Sequence, residues 1–276
     1  MTIFAKMTTA ASDMVDCTPV ASGNPFFASL LMPPGNYQYD ATHKWALPEG
    51  LLHVLDPGIS GGYRVISAGE PYALMRAMSW LTVYGDADEG LAPATALNLM
   101  KSRKLAMRCE PTTDLCRYVA GLYGLATRKV RFLTAGTPTN FDDGHVGFEL
   151  YTGGAWRLFD VAGDRYFTSN GNHVSARGYF ETPPDTTVSL ARSEADNDPG
   201  GNYMWHPGVY YDMFIRTPEA QAAWVNRVFQ IPGIVHTDGL TYFWMPPGTE
   251  TRQSWVLSLS SAFRVVDKAT WVAMFY

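Results

Sequence analysis

Between Cys109 and Asp160 the sequence specifies one helix followed by three strands, and this constrains the fold more than any other stretch of the 276 residues. Leu115, Val119 and Leu122 recur at i, i+4 and i+7, the apolar face of a helix from about residue 110 to 123. Pro111 suits its first turn, where a missing N–H costs nothing. Gly124 stands where a left-handed residue ends a helix. Residues 129–134, 146–151 and 155–161 then read as strands, the last two joined by Thr152-Gly153-Gly154, a hairpin signal. A helix laid on an antiparallel sheet, an α+β fold, is the architecture this order demands.

Three residues at the ends of those elements have the chemistry of a nucleophile and its support. Cys109 precedes the helix, and the N–H groups at a helix start stabilise a thiolate and can hold an oxyanion. His145 shares a strand face with Gly147, Glu149 and Tyr151. With a two-residue turn at Gly153-Gly154, Asp160 pairs opposite Gly147, diagonal to His145 on the same face. A four-residue loop would set Asp160 directly opposite His145, and an odd loop would separate them. Gly147 between them is expected to leave room for an imidazole against the sheet. The plainer alternative is a histidine satisfied at a strand end and an aspartate capping a loop. Cys116, two turns into the helix, reads as a buried and inert thiol, as does Cys17.

The rest of the chain limits the setting. An apolar fraction of 46% and a charged fraction of 17% are those of a globular protein with a sizeable core. A net charge of −5 and a pI near 5.7 argue against a nucleic-acid partner. The densest basic group, Lys101, Arg103, Lys104 and Arg108, reads as the polar side of a helix. No apolar run reaches the eighteen residues of a membrane span, and none follows Lys6 as in a secretory leader. Free thiols and a cytoplasmic location are therefore expected, with no membrane partner. His173, His206 and His236 lack metal-ligand spacing, and the acids at 194–198 lack that of a calcium loop, so no cofactor is expected.

Residues 1–66 read as an irregular segment with short strands, 62–67 among them, and 67–170 as a core containing helices near 68–86 and 92–106. Residues 171–276 read as a C-terminal extension packed on that core. It carries an exposed loop at 181–202, one helix starting at Thr217-Pro218-Glu219, and strands at 242–244, 255–259, 263–266 and 271–276. The aromatics at 205–207 and 242–245 read as core packing or the lining of a substrate groove.

The stretch from Cys109 through Gly124-Leu125-Ala126-Thr127-Arg128-Lys129-Val130 resembles the transglutaminase-like superfamily, as do 144–151 and 154–160, the latter with Trp156 and Asp160 at Trp-x-x-x-Asp spacing. The resemblance covers roughly residues 70–165. It implies a papain/transglutaminase-like fold in which Cys109 is the nucleophile, His145 the general base and Asp160 the carboxylate that orients it. It implies an upstream aromatic at the oxyanion, for which Trp80 and Tyr84 are candidates, and a structural role for Arg128 beside a carboxylate at the base of its strand. The expected activity is cysteine-dependent hydrolysis of a peptide or other amide through a thioester. The alternatives are transfer of the acyl group to an amine, as in a transglutaminase, and a non-catalytic binding or structural member of the fold.

Overall fold

The computed structural model describes residues 71–85, 87–100, 105–137, 144–190 and 218–276, with the backbone of seven short strands in the first seventy residues. Those strands are β1 (Lys6–Met7), β2 (Val15–Asp16), β3 (Leu31–Met32), β4 (Gly35–Gln38), β5 (Lys44–Leu47), β6 (His53–Asp56) and β7 (Arg64–Ile66). They form a four-stranded sheet, order β2-β1-β4-β5, and a three-stranded one, order β3-β6-β7. Cys17, Lys101, Arg103, Lys104, His206 and the stretches at 194–198 and 205–207 lie outside the described residues.

Helices α1 (Pro71–Leu81) and α2 (Pro93–Leu99) each open on a proline, which is preorganised for a first helical position. The second helical stretch is shorter than its pattern suggests. Leu105–Ala106 leaves it as strand β9, parallel to β8 (Thr82–Val83). Helix α3 (Cys109–Leu122) follows directly. It ends as Gly124 predicts: the glycine has φ 71°, its N–H donates to Gly121 O, and Leu125 N–H reaches back to Ala120 O. That pair of bonds is a Schellman cap.

The remaining strands are β10 (Thr127–Leu133), β11 (Gly144–Thr152), β12 (Ala155–Asp160), β13 (Arg165–Ser169), β14 (Asn172–His173), β15 (Thr186–Ser189), β16 (Ile231–Val235), β17 (Thr241–Trp244) and β18 (Phe263–Val266). They form one nine-stranded sheet, order β14-β13-β12-β11-β10-β16-β17-β18, with β15 also on β13. Within this sheet only the β17–β18 pair is parallel, so the protein is α+β with a mostly antiparallel sheet.

Among the described residues, four α-helices follow the central hairpin: α4 (Ala176–Glu181), α5 (Pro218–Val228), α6 (Gln253–Leu259) and α7 (Lys268–Phe275). Residues 255–259 and 271–276 are thus helical, not the strands that their apolar content suggests. In α7 the buried residues are Trp271 and Phe275, four apart, and Asp267 caps the helix by accepting from Thr270 N–H. The loop expected over 181–202 is interrupted by β15, whose register on β13 runs from Arg165↔Ser189 to Thr168↔Thr186.

Both faces of the sheet are covered. On one, Phe148, Leu150 and Phe159 pack with Leu74, Met78 and Met100 of the first two helices and Leu115, Cys116 and Val119 of α3. On the other, Val130, Phe132, Leu158 and Phe167 meet Trp224, Val228, Trp271 and Phe275. Glu149 lies on this second face, fully buried, and it is the carboxylate expected beside Arg128. Its Oε2 accepts from Arg128 Nε at 2.6 Å, and its Oε1 from Ala176 N–H and the Tyr276 hydroxyl at 2.7 Å each. Arg128 stacks 4.0 Å from the centre of the Trp156 ring and 4.4 Å from that of Tyr276. One carboxylate thereby joins β10, α4 and the end of α7 to β11.

Removing one partner of a buried ion pair leaves the other desolvated and uncompensated, at about 3–5 kcal/mol. Glu149→Ala is expected to lower urea-unfolding stability by that amount, and a loss below about 1 kcal/mol would mean that the network carries little.

A second expectation concerns His173, whose Nδ1 faces the Tyr72 hydroxyl at 2.9 Å and whose Nε2 donates to Leu158 O at 2.5 Å. Burial lowers its pKa to about 4 from 6.5. The unfolded chain binds this proton more tightly, so the His173 contribution is complete above pH 6.5 and is lost as pH falls toward 4. It amounts to about 3 kcal/mol. Unfolding midpoints measured between pH 4 and 7 should fall less steeply in His173→Gln than in the unaltered chain.

Candidate active site

The turn at Gly153 and Gly154 has φ 59° and 78°, the left-handed pair that a two-residue hairpin needs. It sets Thr152 opposite Ala155 and Phe148 opposite Phe159, so the register continues to Gly147 opposite Asp160. Of the loop lengths weighed from the sequence, this is the two-residue one. His145 and Asp160 accordingly meet on one face, His145 Nε2 lying 2.7 Å from Asp160 Oδ1. Gly147 is required, though not to seat the imidazole. A Cβ there would stand 2.7 Å from Phe159 O, so the neighbouring backbone excludes it.

Cys109 is the first residue of α3 and is half-buried, whereas Cys116 is fully buried on the core side. Cys109 lies near enough to His145 for its side chain to influence the imidazole. Since Nε2 is engaged by Asp160, the imidazole nitrogen left for the thiol is Nδ1. Helix and strand are held together by Thr113, whose hydroxyl donates to Val146 O at 3.1 Å. Lys129, at 2.9 Å from Glu110 and 2.8 Å from Asp114, ties α3 to β10.

The histidine is 2% exposed and walled by the rings of Trp224, 5.1 Å away, and Phe229, 5.5 Å away. Burial disfavours its charged form, but Asp160 and Cys109, through charge and hydrogen bonds, outweigh this and raise its pKa to about 9. Burial likewise opposes ionisation of Asp160. The charge and hydrogen bond of His145, the charge of Arg165 and the Gly163 N–H overcome it and hold the carboxyl below its usual range. His145 is therefore an imidazolium at neutral pH, resting on an ionised Asp160.

Tyr84 also lies near Cys109. Gly85 N–H donates to Met107 O, and Asp88 pairs with Ala106 through both its backbone and its Oδ2, the latter at 2.8 Å from Ala106 N. This lashing sets the half-buried Tyr84 alongside the residues leading into α3, with its phenol in the field of Cys109, Arg108 and Asp160. Burial, with Cys109 and Asp160 adding to it, raises its pKa, so the hydroxyl keeps its proton and stays a donor. Arg108 in turn binds Glu89 through two nitrogens and closes the same loop. Trp80, the other aromatic candidate, lies in α1, and its side chain is outside the described residues.

Two neighbours of Asp160 were not anticipated from the sequence. Arg165 stands opposite it across the β12–β13 pair, Nε 3.1 Å from Oδ2. Gly163, in the turn between them, donates its N–H to Oδ1 at 2.8 Å. The signal was the Gly163-Asp164 turn five residues before the strand end, which implies a hairpin with Asp160 and Arg165 as its first pair.

A groove of about 690 Å³ runs along α3, bounded by Leu91, Pro93, Met107, Glu110, Asp114 and Tyr118. No group of three or more potential metal ligands occurs among the described residues, nor does any helix there have the length and apolarity to cross a membrane. The fold and site define an α+β protein with a buried Asp160–His145 pair and a half-buried thiol at the start of a helix. Compared with models of protein families, with curated proteins and with solved structures, the chain matches none.

A Cβ on Gly163 would lie 2.1 Å from Asp160 Oδ2 and 2.5 Å from Arg165 Nε, both buried and unable to yield freely. Gly163→Ala should therefore shift Asp160 and lower the pKa of His145 while leaving α3 in place. Titration of the His145 ring by NMR checks this, and an unchanged midpoint would mean that Asp160 does not depend on the turn.

Proposed function

We propose that the protein is a cysteine-dependent amide hydrolase, a peptidase or amidase, and a distant relative of the transglutaminase-like enzymes. The observation carrying this reading is the buried His145–Asp160 pair at 2.7 Å, with Cys109 at the start of α3 near enough to act on the same imidazole. A helix start for the nucleophile, a base on the second strand of a sheet and a carboxylate on the third support it further.

In the reaction, Cys109 sulfur attacks the amide carbonyl as the thiolate, its proton held by His145. Negative charge develops on the carbonyl oxygen, where N–H groups of the first turn of α3 and the Tyr84 hydroxyl are the available donors. As the C–N bond breaks, His145 gives its proton to the leaving amine and a thioester remains on Cys109. His145, now neutral, takes a proton from water as the water attacks the thioester, releasing the acid and restoring the Cys109 thiolate beside protonated His145. Asp160 holds the imidazole in one orientation through both steps. An amine in place of water would give acyl transfer by the same steps. The groove along α3 begins beside the nucleophile, at Met107, Glu110 and Pro111, and offers a seat for an extended chain.

Iodoacetamide tests the nucleophile without a known substrate. At pH 6 an ordinary thiol is almost wholly protonated, so Cys109 in the folded protein should be alkylated about ten-fold faster, or more, than in the urea-unfolded chain. Mass spectrometry of the Cys109 peptide reads the rate, and His145→Ala should abolish the advantage. Equal rates folded and unfolded would leave a binding module. Acylation of Cys109 by p-nitrophenyl acetate, followed by release with and without an added primary amine, separates hydrolysis from transfer.

A further inference from the structure

We infer that Arg165 is a positioning residue for this chemistry: from the far side of Asp160 it fixes the carboxylate and shares its charge with His145. The inference rests on the reading of Cys109, His145 and Asp160 just given and extends it by one residue. Asp160 has two oxygens in different surroundings. Oδ1 accepts from His145 Nε2 at 2.7 Å and from Gly163 N–H at 2.8 Å, while Oδ2 faces Arg165 Nε at 3.1 Å. The carboxylate is 0% exposed and Arg165 2%, so neither charge is screened by water.

The geometry is built, not incidental. Asp160 and Arg165 are directly paired across β12 and β13, and Arg165 also pairs with Ser189 of β15. The turn joining them is pinned by Asp164, whose two oxygens accept from Ser79 of α1 and Ser189 of β15, each at 2.6 Å. Asp164 itself has φ 56°, and the space beside Gly163 is filled by the guanidinium and carboxylate together. No other carboxylate pairs with Arg165 among the described residues.

An arginine in this position does two things that a purely structural ion pair elsewhere would not. Its charge, 3.1 Å from Oδ2, favours the Asp160 orientation that meets His145. It also divides the carboxylate's charge, so the imidazolium is held less tightly and can release its proton to the leaving amine. The other groups facing the pair are Cys109 from α3, Tyr84 after β8 and Tyr179 from α4. The uncharged rings of Trp224 and Phe229 close the remaining side. Among the described residues, Arg165 is the cation in direct contact with Asp160 besides His145.

The test is the pH dependence of Cys109 alkylation by iodoacetamide in the full chain, from pH 5 to 10, read by mass spectrometry. The upper limb in the unaltered protein reports loss of the His145 proton, near pH 9. Arg165→Met should move that limb upward by about half a unit or more, because a repelling cation is gone and Asp160 serves His145 alone. Arg165→Lys, which keeps the charge, should return the limb toward its original position. If the methionine variant does not fold, Arg165→Gln serves, since it keeps a polar side chain at the position without the charge. A limb that stays put in the neutral variant while thermal stability falls would overturn the inference and leave Arg165 a prop of the fold. Failure of the underlying reading looks different: Cys109 of the unaltered protein would then react no faster folded than unfolded.

Discussion

The register of β11 on β12 is the constraint on which the site depends, and two glycines set it. Side chains alternate along a strand, so a loop longer by one residue would send Asp160 to the face of Phe148 and leave His145 over an apolar surface. Gly153 and Gly154 prevent this by taking the left-handed conformations that close a two-residue turn. At the other end of the same pair, Gly147 lets the Phe159 carbonyl come within the radius a Cβ would occupy. Three glycines thus fix the relation of His145 and Asp160 before any polar contact forms.

That register also puts two buried carboxylates on one face of the sheet, Glu149 and Asp160, and the protein treats them differently. Glu149 is closed on every side: an arginine, a backbone N–H and a phenol take its oxygens. Asp160 has an arginine on one oxygen and a histidine on the other, so its second partner is a group that can titrate. An ion pair whose partners are both permanently charged costs desolvation and returns only structure. A carboxylate shared with a histidine leaves a proton that can move. Of the two, only Asp160 has the form of a working site.

Much of this was legible in the sequence because it depended on local pattern. The period of Leu115, Val119 and Leu122, the Gly124 cap and the Gly-Gly turn each act within a few residues, and α3 and the β11–β12 hairpin follow from them. Parity then carried the argument from His145 to Asp160. What failed depended on distant partners. Residues 255–259 and 271–276 are apolar enough for either element, and the second is helical because Trp271 and Phe275 meet a core built by β16, β17 and α5. Arg165 was missed for a related reason: an arginine in a strand is ordinarily exposed, and only the pairing of β12 with β13 buries it against Asp160.

The C-terminal elements bear on the chemistry through the same sheet. β16 pairs with β10 from Leu133↔Ile231 to Val130↔Ile234, and the residues just before it, Trp224 and Phe229, form the wall against His145. Without that wall the imidazole would lie open to water, and the effect of Asp160 on it would fall with the rise in local dielectric. The charged state of His145 therefore depends on a segment some eighty residues away in sequence. Phe229 also stacks on Phe132, the residue directly opposite His145 in the ladder, with ring centres 4.1 Å apart. Any displacement of α5 is thereby transmitted to the strand that carries His145, so the packing of 218–229 sets the strength of the His145–Asp160 pair as directly as the hairpin turn does.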